Sequence, residues 1–79
     1  MNISIVITLK RDEIAEESLG SHSGTWKVVN GEAQCKWDDG WINVIRRSGG
    51  QWVKADWSNG RPLVDPPDSV AEAVYTEPD

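Results

Sequence analysis

Cysteine and histidine are scarce in this sequence, with one residue of each, and phenylalanine is absent. The single Cys35 excludes an internal disulfide and any metal site that needs several cysteine ligands. A lone thiol also suits a reducing compartment. The single His22 lies in a Ser/Gly connector with no adjacent carboxylate in the sequence. We therefore expect a solvated histidine and a packed, unreactive cysteine.

Long apolar runs are also missing. Near the N-terminus, Ile3, Ile5, Ile7 and Leu9 alternate with Ser4, Thr8 and Lys10, which is typical of a strand. This apolar segment is far too short for a membrane span. No basic residue precedes this segment, and no small-residue cleavage site follows it, so it does not resemble a secretory signal. These features predict a cytoplasmic protein with a first strand at 1–9.

Basic residues are outnumbered, eight against thirteen acidic ones, but the charge is unevenly placed. Residues 25–62 carry six lysines and arginines against four acids, a local charge of +2, whereas the remainder carries two against nine. The acids follow the first strand and fill the C-terminal segment 65–79. The central segment is therefore mildly basic, and the acidity of the whole chain is a poor guide to what this segment binds.

Turn dipeptides dominate the middle of the chain. Asn30-Gly31, Asp39-Gly40, Gly49-Gly50 and Asn59-Gly60 recur every nine or ten residues. Such pairs tolerate the positive φ angles of a type I′ turn, whose twist matches that of paired strands. The segment 25–57, which contains all five tryptophans, is therefore predicted to form a four-stranded antiparallel meander.

The flanking segments predict shorter elements. Asp12 has the position of an N-cap before a short helix over 13–19. Residues 61–64 are predicted to form a short edge strand, because the proline in this segment is tolerated only at an edge or a strand end. Ser69 and Glu72 have capping-box spacing, which predicts one helical turn near the C-terminus.

The sequence thus predicts one small, mainly β domain over 1–79. Its expected architecture is a twisted antiparallel meander of about five strands, able to curl into a partly open barrel, with one or two short helical turns. The first strand covers 1–9, the Trp-rich hairpin meander covers 25–64, and an acidic C-terminal segment covers 65–79.

Two-residue loops at the first three turns would set three strand registers. The first hairpin then pairs Val28 with Ala33, the second pairs Cys35 with Val44, and the third pairs Val44 with Ala55. Because a one-residue slip moves every side chain of a strand to the opposite face, the agreement of these registers predicts one common core face. The predicted core face consists of Trp26, Val28, Ala33, Cys35, Trp37, Ile42, Val44, Val53, Ala55 and Trp57.

The opposite face of this predicted sheet is the candidate site. It is rich in cations and amides and has two indoles at strand ends, a combination typical of stacking and aromatic recognition surfaces. The predicted ligand-binding residues are Lys27, Lys36, Trp41, Asn43, Arg47, Trp52 and Lys54. The alternative is an ordinary solvated face on which Arg47 stacks on Trp52 and nothing binds.

A face of this kind favours non-enzymatic binding of a protein or peptide partner. The alternative is weak binding of single-stranded nucleic acid, although no dense basic cluster marks a nucleic-acid footprint.

Asp38 and Asp39 make a weak cation site, because Asp39 already serves the turn and no further oxygen ligands adjoin them. We expect no metal, no cofactor and no membrane partner. Self-association through the edge strands stays open.

Part of the meander resembles a WW domain over residues 38–67. Trp41, the Ser-Gly-Gly turn, Trp52 eleven residues after Trp41, and Pro66 carry the resemblance, which implies binding of proline-rich peptides. Leu63 stands where that family has its second ligand-binding tryptophan. Two further predicted strands also lie upstream, so the sequence does not assign the chain to this family.

Overall fold

The computed structural model describes residues 6–18 and 22–74. Within them the chain forms seven strands and no helix: β1 (Ile7–Leu9), β2 (Ile14–Glu17), β3 (Ser23–Val29), β4 (Glu32–Trp37), β5 (Ile42–Ser48), β6 (Gln51–Trp57) and β7 (Ser69–Ala73). Each strand pairs antiparallel with the next in chain order, which makes one up-and-down sheet that curls into a half-barrel. The mainly β, partly open architecture is confirmed, with seven strands in place of about five.

The predicted helix over 13–19 is wrong, because β2 occupies residues Ile14–Glu17. Asp12 does accept a hydrogen bond from the amide of Ile14 at 3.1 Å, as an N-cap would, but it does so in the β1–β2 turn. Two turns of helix with a thin apolar edge are marginal in water. As a strand the segment pairs with both β1 and β3 and buries Ala15 completely.

The C-terminal predictions are also wrong. Residues 69–72 lie in β7, beside β6, and not in a helical turn. Residues 61–64 form no strand, because the connection from β6 to β7 runs as turns held by Asp68. The Asp68 carboxylate accepts hydrogen bonds from the amide of Ser58 at 2.7 Å and from Nη1 of Arg61 at 2.8 Å. Of the predicted first strand only Ile7–Leu9 is observed, and residues 1–5 lie outside the described part.

The first and third hairpins have the predicted registers, with Val28 opposite Ala33 and Val44 opposite Ala55. The second is shifted by one residue, so that Cys35 lies opposite Asn43 in place of Val44. The cause is the β4–β5 loop, which contains the three residues 38–40 and not two.

Hydrogen bonds define this three-residue loop. The amide of Trp37 donates to the carbonyl of Trp41 at 2.9 Å, and the amide of Gly40 donates to the carbonyl of Trp37 at 3.0 Å. Gly40 has a φ of +90°, as expected of a turn followed by a left-handed residue that forms a bulge. The Asp39 carboxylate accepts the amide of Trp41 at 3.0 Å and closes the loop.

The one-residue shift splits the predicted core face between the two sides of the sheet. We call one side the inner face: Ala15, Glu17, Trp26, Val28, Ala33, Cys35, Trp37, Asn43, Ile45, Arg47, Trp52, Lys54, Asp56, Ser69, Ala71 and Ala73. The other side is the outer face: Lys27, Gln34, Lys36, Ile42, Val44, Arg46, Val53, Ala55, Trp57, Val70 and Glu72. The predicted single core face is therefore wrong.

The inner face lies on the concave side. Glu17 of β2 and Lys54 of β6 line the same cleft, although four strand spacings of about 4.8 Å would hold their strands about 19 Å apart in a flat sheet. Only a sheet curled toward this face brings them together.

Two separate apolar clusters replace the single predicted core. The inner cluster contains Ala15, Cys35 and Trp37, packed against Ile7, Leu9 and Trp26. The outer cluster contains Val44, Ala55 and Trp57, packed against Ile42. The β6–β7 connection borders the outer cluster, because Nε1 of Trp57 donates to the carbonyl of Asp65 at 2.9 Å.

Candidate binding surface on the inner face

The structure separates the predicted ligand-binding residues. Asn43, Arg47, Trp52 and Lys54 share the inner face, whereas Lys27 and Lys36 project from the outer face. Trp41 lies between the β4–β5 loop and β5, with 39% of its surface exposed. The prediction of one continuous surface with tryptophans and cations side by side is therefore wrong. The one-residue shift places the predicted site residues of β3 and β4 on the opposite side of the sheet from those of β5 and β6.

One end of the inner face forms a polar cleft of about 190 Å³. We call it the polar cleft; it is lined by Glu17, His22, Trp37, Asp39, Trp41, Asn43, Lys54 and Asp56. The carboxylates outnumber the permanent cations by three to one in this lining. The cleft is thus an acidic and aromatic surface, unlike the basic one predicted.

A chain of hydrogen bonds fills the floor of the polar cleft. Nε1 of Trp37 donates to Oδ1 of Asn43 at 2.7 Å, and Nδ2 of Asn43 donates to Oδ1 of Asp56 at 2.7 Å. Lys54 donates to the same Asp56 oxygen at 2.9 Å, and the Ser69 hydroxyl donates to Oδ2 at 2.7 Å. Both carboxylate oxygens of Asp56 are therefore engaged, and the charge of Lys54 is already compensated inside the protein.

His22 is not the isolated loop histidine that the sequence suggested. Its Nδ1 lies 2.7 Å from Oδ1 of Asp38, and its Nε2 lies 3.6 Å from Oδ2 of Asp39. The hydrogen bond to Asp38 is the main cause that raises the pKa of His22 above 6.5, and the nearby charges of Asp38, Asp39 and Glu17 add to it. The same hydrogen bond lowers the pKa of Asp38. The histidine links the start of β3 to the β4–β5 loop.

Cys35 is fully buried between Ala15 and Trp37, as the sequence predicted. Burial raises the pKa of its thiol to about 11. The reactive thiolate is therefore scarce at neutral pH, which agrees with a packing role.

The other end of the inner face is apolar and open. We call it the apolar trough; its apolar residues are Val28, Ala33, Ile45, Trp52, Ala71 and Ala73. Lys54 lies between Ile45 and Ala71 on this face, with its ammonium group paired to Asp56. Val28 is 64% exposed, and Ile45 and Trp52 are half-buried. The guanidinium of Arg47 stands 5.3 Å from the centre of the Trp52 ring.

Arg47 is the exposed cation of this trough. Its one side-chain hydrogen bond in the described part of the chain runs from Nη2 to the carbonyl of Gly50 at 3.2 Å, and none of the described acids pairs with it. A guanidinium has five N–H donors in a planar fork that matches a carboxylate. Arg47 therefore has donors to spare beside an apolar floor.

The part of the apolar trough that β7 contributes was not predicted from the sequence. Ala71 and Ala73 lie in the segment predicted as a helical turn, although small residues at 69, 71 and 73 alternate with larger ones at 70 and 72. This period of two indicates a strand and could have identified the small inward residues.

A larger hollow of about 510 Å³ lies between β1, β2 and the start of β3. It contains none of the predicted ligand-binding residues. Across the residues that the structure describes, no group of three or more His, Cys, Asp or Glu side chains has the arrangement of a metal site. The described part also contains no helix able to cross a bilayer.

No protein-family model, curated protein or solved structure matches the chain. The resemblance to WW domains gains no support from these comparisons.

Proposed function

We propose that this protein is a non-enzymatic binding domain that engages an extended peptide segment of a partner protein in the apolar trough. The observation that carries the proposal is the placement of an exposed Arg47 on Trp52, beside half-buried Ile45. Aromatic and arginine side chains are the residues that anchor protein interfaces, whereas scattered lysines contribute little.

The chemistry of the trough favours a particular kind of peptide. Its floor is apolar, so a Leu, Ile or Phe side chain of the peptide gains from burial there. Arg47 supplies a bidentate donor for an Asp or Glu that flanks this apolar residue. The proposed partner segment is therefore extended, with an apolar residue next to an acidic one.

Single-stranded nucleic acid is the weaker alternative. Base stacking needs indoles and phosphate-binding cations on one surface. Here the exposed cations Lys27 and Lys36 face away from Trp52, and Lys54 is paired with Asp56. The acidic lining of the polar cleft also lies on the inner face and repels phosphate.

A cytoplasmic setting is part of the proposal. The free and fully buried Cys35 supports it, because small extracellular domains of this size usually carry disulfides.

A displayed library of random 12-residue peptides, panned in parallel against the wild type and Trp52→Ala, tests the proposal. We expect peptides with adjacent apolar and acidic residues to be enriched on the wild type. Loss of the indole anchor should weaken their binding by about 2 kcal/mol, or about thirtyfold in Kd. Trp41→Ala is the matched control, since it removes an indole outside the trough and should leave binding unchanged.

Circular dichroism should first show that Trp52→Ala remains folded, because Trp52 is half-buried. Arg47→Gln, at an exposed position, tests the same trough with less risk to the fold. Enriched peptides that bind both variants as well as the wild type would overturn the proposal, and so would an absence of enrichment. Oligonucleotides that bind tightly at low salt and weakly at high salt would favour the alternative.

A further inference from the structure

Strand β7 forms an open edge of the half-barrel. Among residues 6–18 and 22–74 it pairs with β6 alone, through a register that runs from Asp56 opposite Ser69 to Trp52 opposite Ala73. In any edge strand, alternate residues direct their backbone N–H and C=O groups away from the sheet. This edge therefore presents a row of donors and acceptors to an incoming strand.

The sequence of β7 lacks the features that normally protect such an edge. Its five residues, Ser69–Ala73, include no proline and no lysine, and Glu72 is their single charge. Proteins that avoid strand addition usually place lysine, proline or a bulge on an exposed edge.

The side chains of β7 leave space on the inner face. Ala71 and Ala73 are its inward residues beside the trough, and Ala73 lies directly opposite Trp52. A strand added next to β7 would direct every second side chain toward the same face. A large apolar side chain at such a position would extend over the alanines toward the Trp52 ring, which no bulky residue of β7 covers.

The positive charge of Arg47 on the inner face favours an acidic residue near the apolar residue of the peptide. An added strand places its residues i and i+2 on one side, so an acidic residue two positions from the apolar one faces the side that carries Arg47. Three strand spacings, about 14 Å in a flat sheet, separate the added strand from β5, so this contact depends on the curl of the sheet toward the inner face. Glu72 lies on the outer face and does not compete for Arg47 there.

We propose that the partner peptide binds by adding an eighth strand to the free edge of β7, with alternate side chains directed into the apolar trough. The inference rests on the proposed function and specifies its mode. Main-chain hydrogen bonds along β7 supply affinity, and the trough with Arg47 supplies selectivity.

Backbone N-methylation of the bound peptide tests this mode. The tightest peptide from the library is synthesised with a single N-methyl group at each successive position. Strand addition predicts alternation, in which methylation at every second residue weakens binding at least tenfold and methylation at the intervening residues changes it less than about twofold. Side-chain docking without strand pairing predicts no alternation.

Proline substitutions test the same edge from the protein side. Val70→Pro and Ala71→Pro change adjacent residues of β7, whose N–H groups point to opposite sides of the strand. One variant therefore removes an N–H that faces β6, and the other removes an N–H at the free edge. The free-edge variant should keep the wild-type unfolding midpoint and lose peptide binding, because prolines are tolerated on the solvent side of edge strands. The other variant should lower the midpoint.

The outcomes separate the two proposals. Peptide binding that depends on Trp52 but shows no alternation would overturn strand addition and leave trough binding in place. Binding that ignores Trp52 would overturn the proposed function. Sedimentation of the protein alone provides a third arm: a dimer abolished by the free-edge proline would make a second copy of the chain the occupant, and would overturn the partner-peptide proposal.

Discussion

At the residue scale, Asn43 illustrates how far one side chain can lie from its predicted setting. The sequence predicts it as a ligand-binding residue on the exposed face of the sheet, but it is 7% exposed and bridges Trp37 and Asp56. A buried amide is tolerated only when its donors and acceptors are satisfied, and these two partners meet that condition. The site residue predicted as a ligand contact therefore stabilises the fold of the polar cleft.

His22 gains a role that the sequence did not indicate. Both of its ring nitrogens face carboxylates, which only accept hydrogen bonds, so the doubly protonated imidazolium suits the site best. Asp38 and Asp39 are far from His22 in sequence and become its neighbours only when β3 pairs with β4.

The raised pKa of His22 predicts that stability decreases as the pH rises. A group whose pKa is higher in the folded state contributes fully below its ordinary value of 6.5, and the contribution is lost as the pH rises through the folded-state value. The lowered pKa of Asp38 acts at low pH, because the contribution of this carboxylate to stability is lost as the pH falls through its folded-state pKa. The thermal midpoint of the wild type should therefore fall as the pH rises above about 6.5.

His22→Asn is the control, because it keeps a polar side chain without the titration. Its midpoint should change less than that of the wild type over the same range. A proton NMR titration of the imidazole measures the pKa directly. A value at or below 6.5 would contradict the contacts with Asp38 and Asp39.

At the element scale, two loops share one design. The β1–β2 loop (residues 11–13) and the β4–β5 loop (residues 38–40) each close with two backbone hydrogen bonds and an aspartate that accepts the amide two residues on. The left-handed position is Gly40 in one loop and Glu13, with a φ of +69°, in the other. Because a non-glycine residue rarely adopts this φ, residues 11–13 contain no pair that predicts the β1–β2 turn. Asp39-Gly40 does predict a turn, but one with a two-residue loop in place of the three residues observed.

Gly40→Ala should destabilise the protein more than a comparable substitution in another turn. A Cβ at position 40 would meet an unfavourable φ of +90° and overlap the end of the exposed Asn59 side chain, which would have to move aside. We expect a loss of about 2 kcal/mol in the free energy of unfolding. Gly49→Ala is the matched control, because its φ is also positive but the space around it is open; its cost should be about 1 kcal/mol.

Urea denaturation of both variants measures the difference. Equal losses would show that Asn59 moves aside without cost. That result would contradict the close packing of the β6–β7 connection against the β4–β5 loop.

At the scale of the whole molecule, apolar residues are buried on opposite sides of one sheet. Trp37 anchors the inner cluster, and its indole donates to Asn43. Trp57 anchors the outer cluster, and its indole donates to the carbonyl of Asp65. A chain of 79 residues has little apolar area to spare, so dividing it between two clusters makes each tryptophan important.

The two clusters should respond independently to mutation. Trp37→Phe and Trp57→Phe each remove one indole hydrogen bond and some packing volume, at a cost of about 1–3 kcal/mol. Because the sheet separates them, the double variant should lose the sum of the two within about 0.5 kcal/mol.

Circular dichroism in urea, with trimethylamine N-oxide added so that the double variant folds, gives the three free energies. A coupling above about 1 kcal/mol would indicate that the tryptophans share contacts, as the single predicted core face would require.

The sequence by itself determined the fold class and two of the three registers. The first and third hairpins depend on tight glycine-containing turns, where the conformation is set by the turn residues and their immediate neighbours. The pairs Val28 with Ala33 and Val44 with Ala55 follow from these turns alone. Burial of Cys35 was also predictable from its apolar neighbours in the alternating pattern.

Tertiary structure decided the rest. The β4–β5 loop contains one residue more than its turn dipeptide predicts, and in the folded chain Asp38 contacts His22 while position 40 lies against the Asn59 side chain, contacts that join distant parts of the chain. The additional loop residue shifts the register so that Asn43 lies opposite Cys35. The residues of the predicted core face are thereby divided between the inner and the outer face. Segments 14–17 and 69–73 became strands because neighbouring strands satisfy their backbone groups, a gain that local helix signals do not contain.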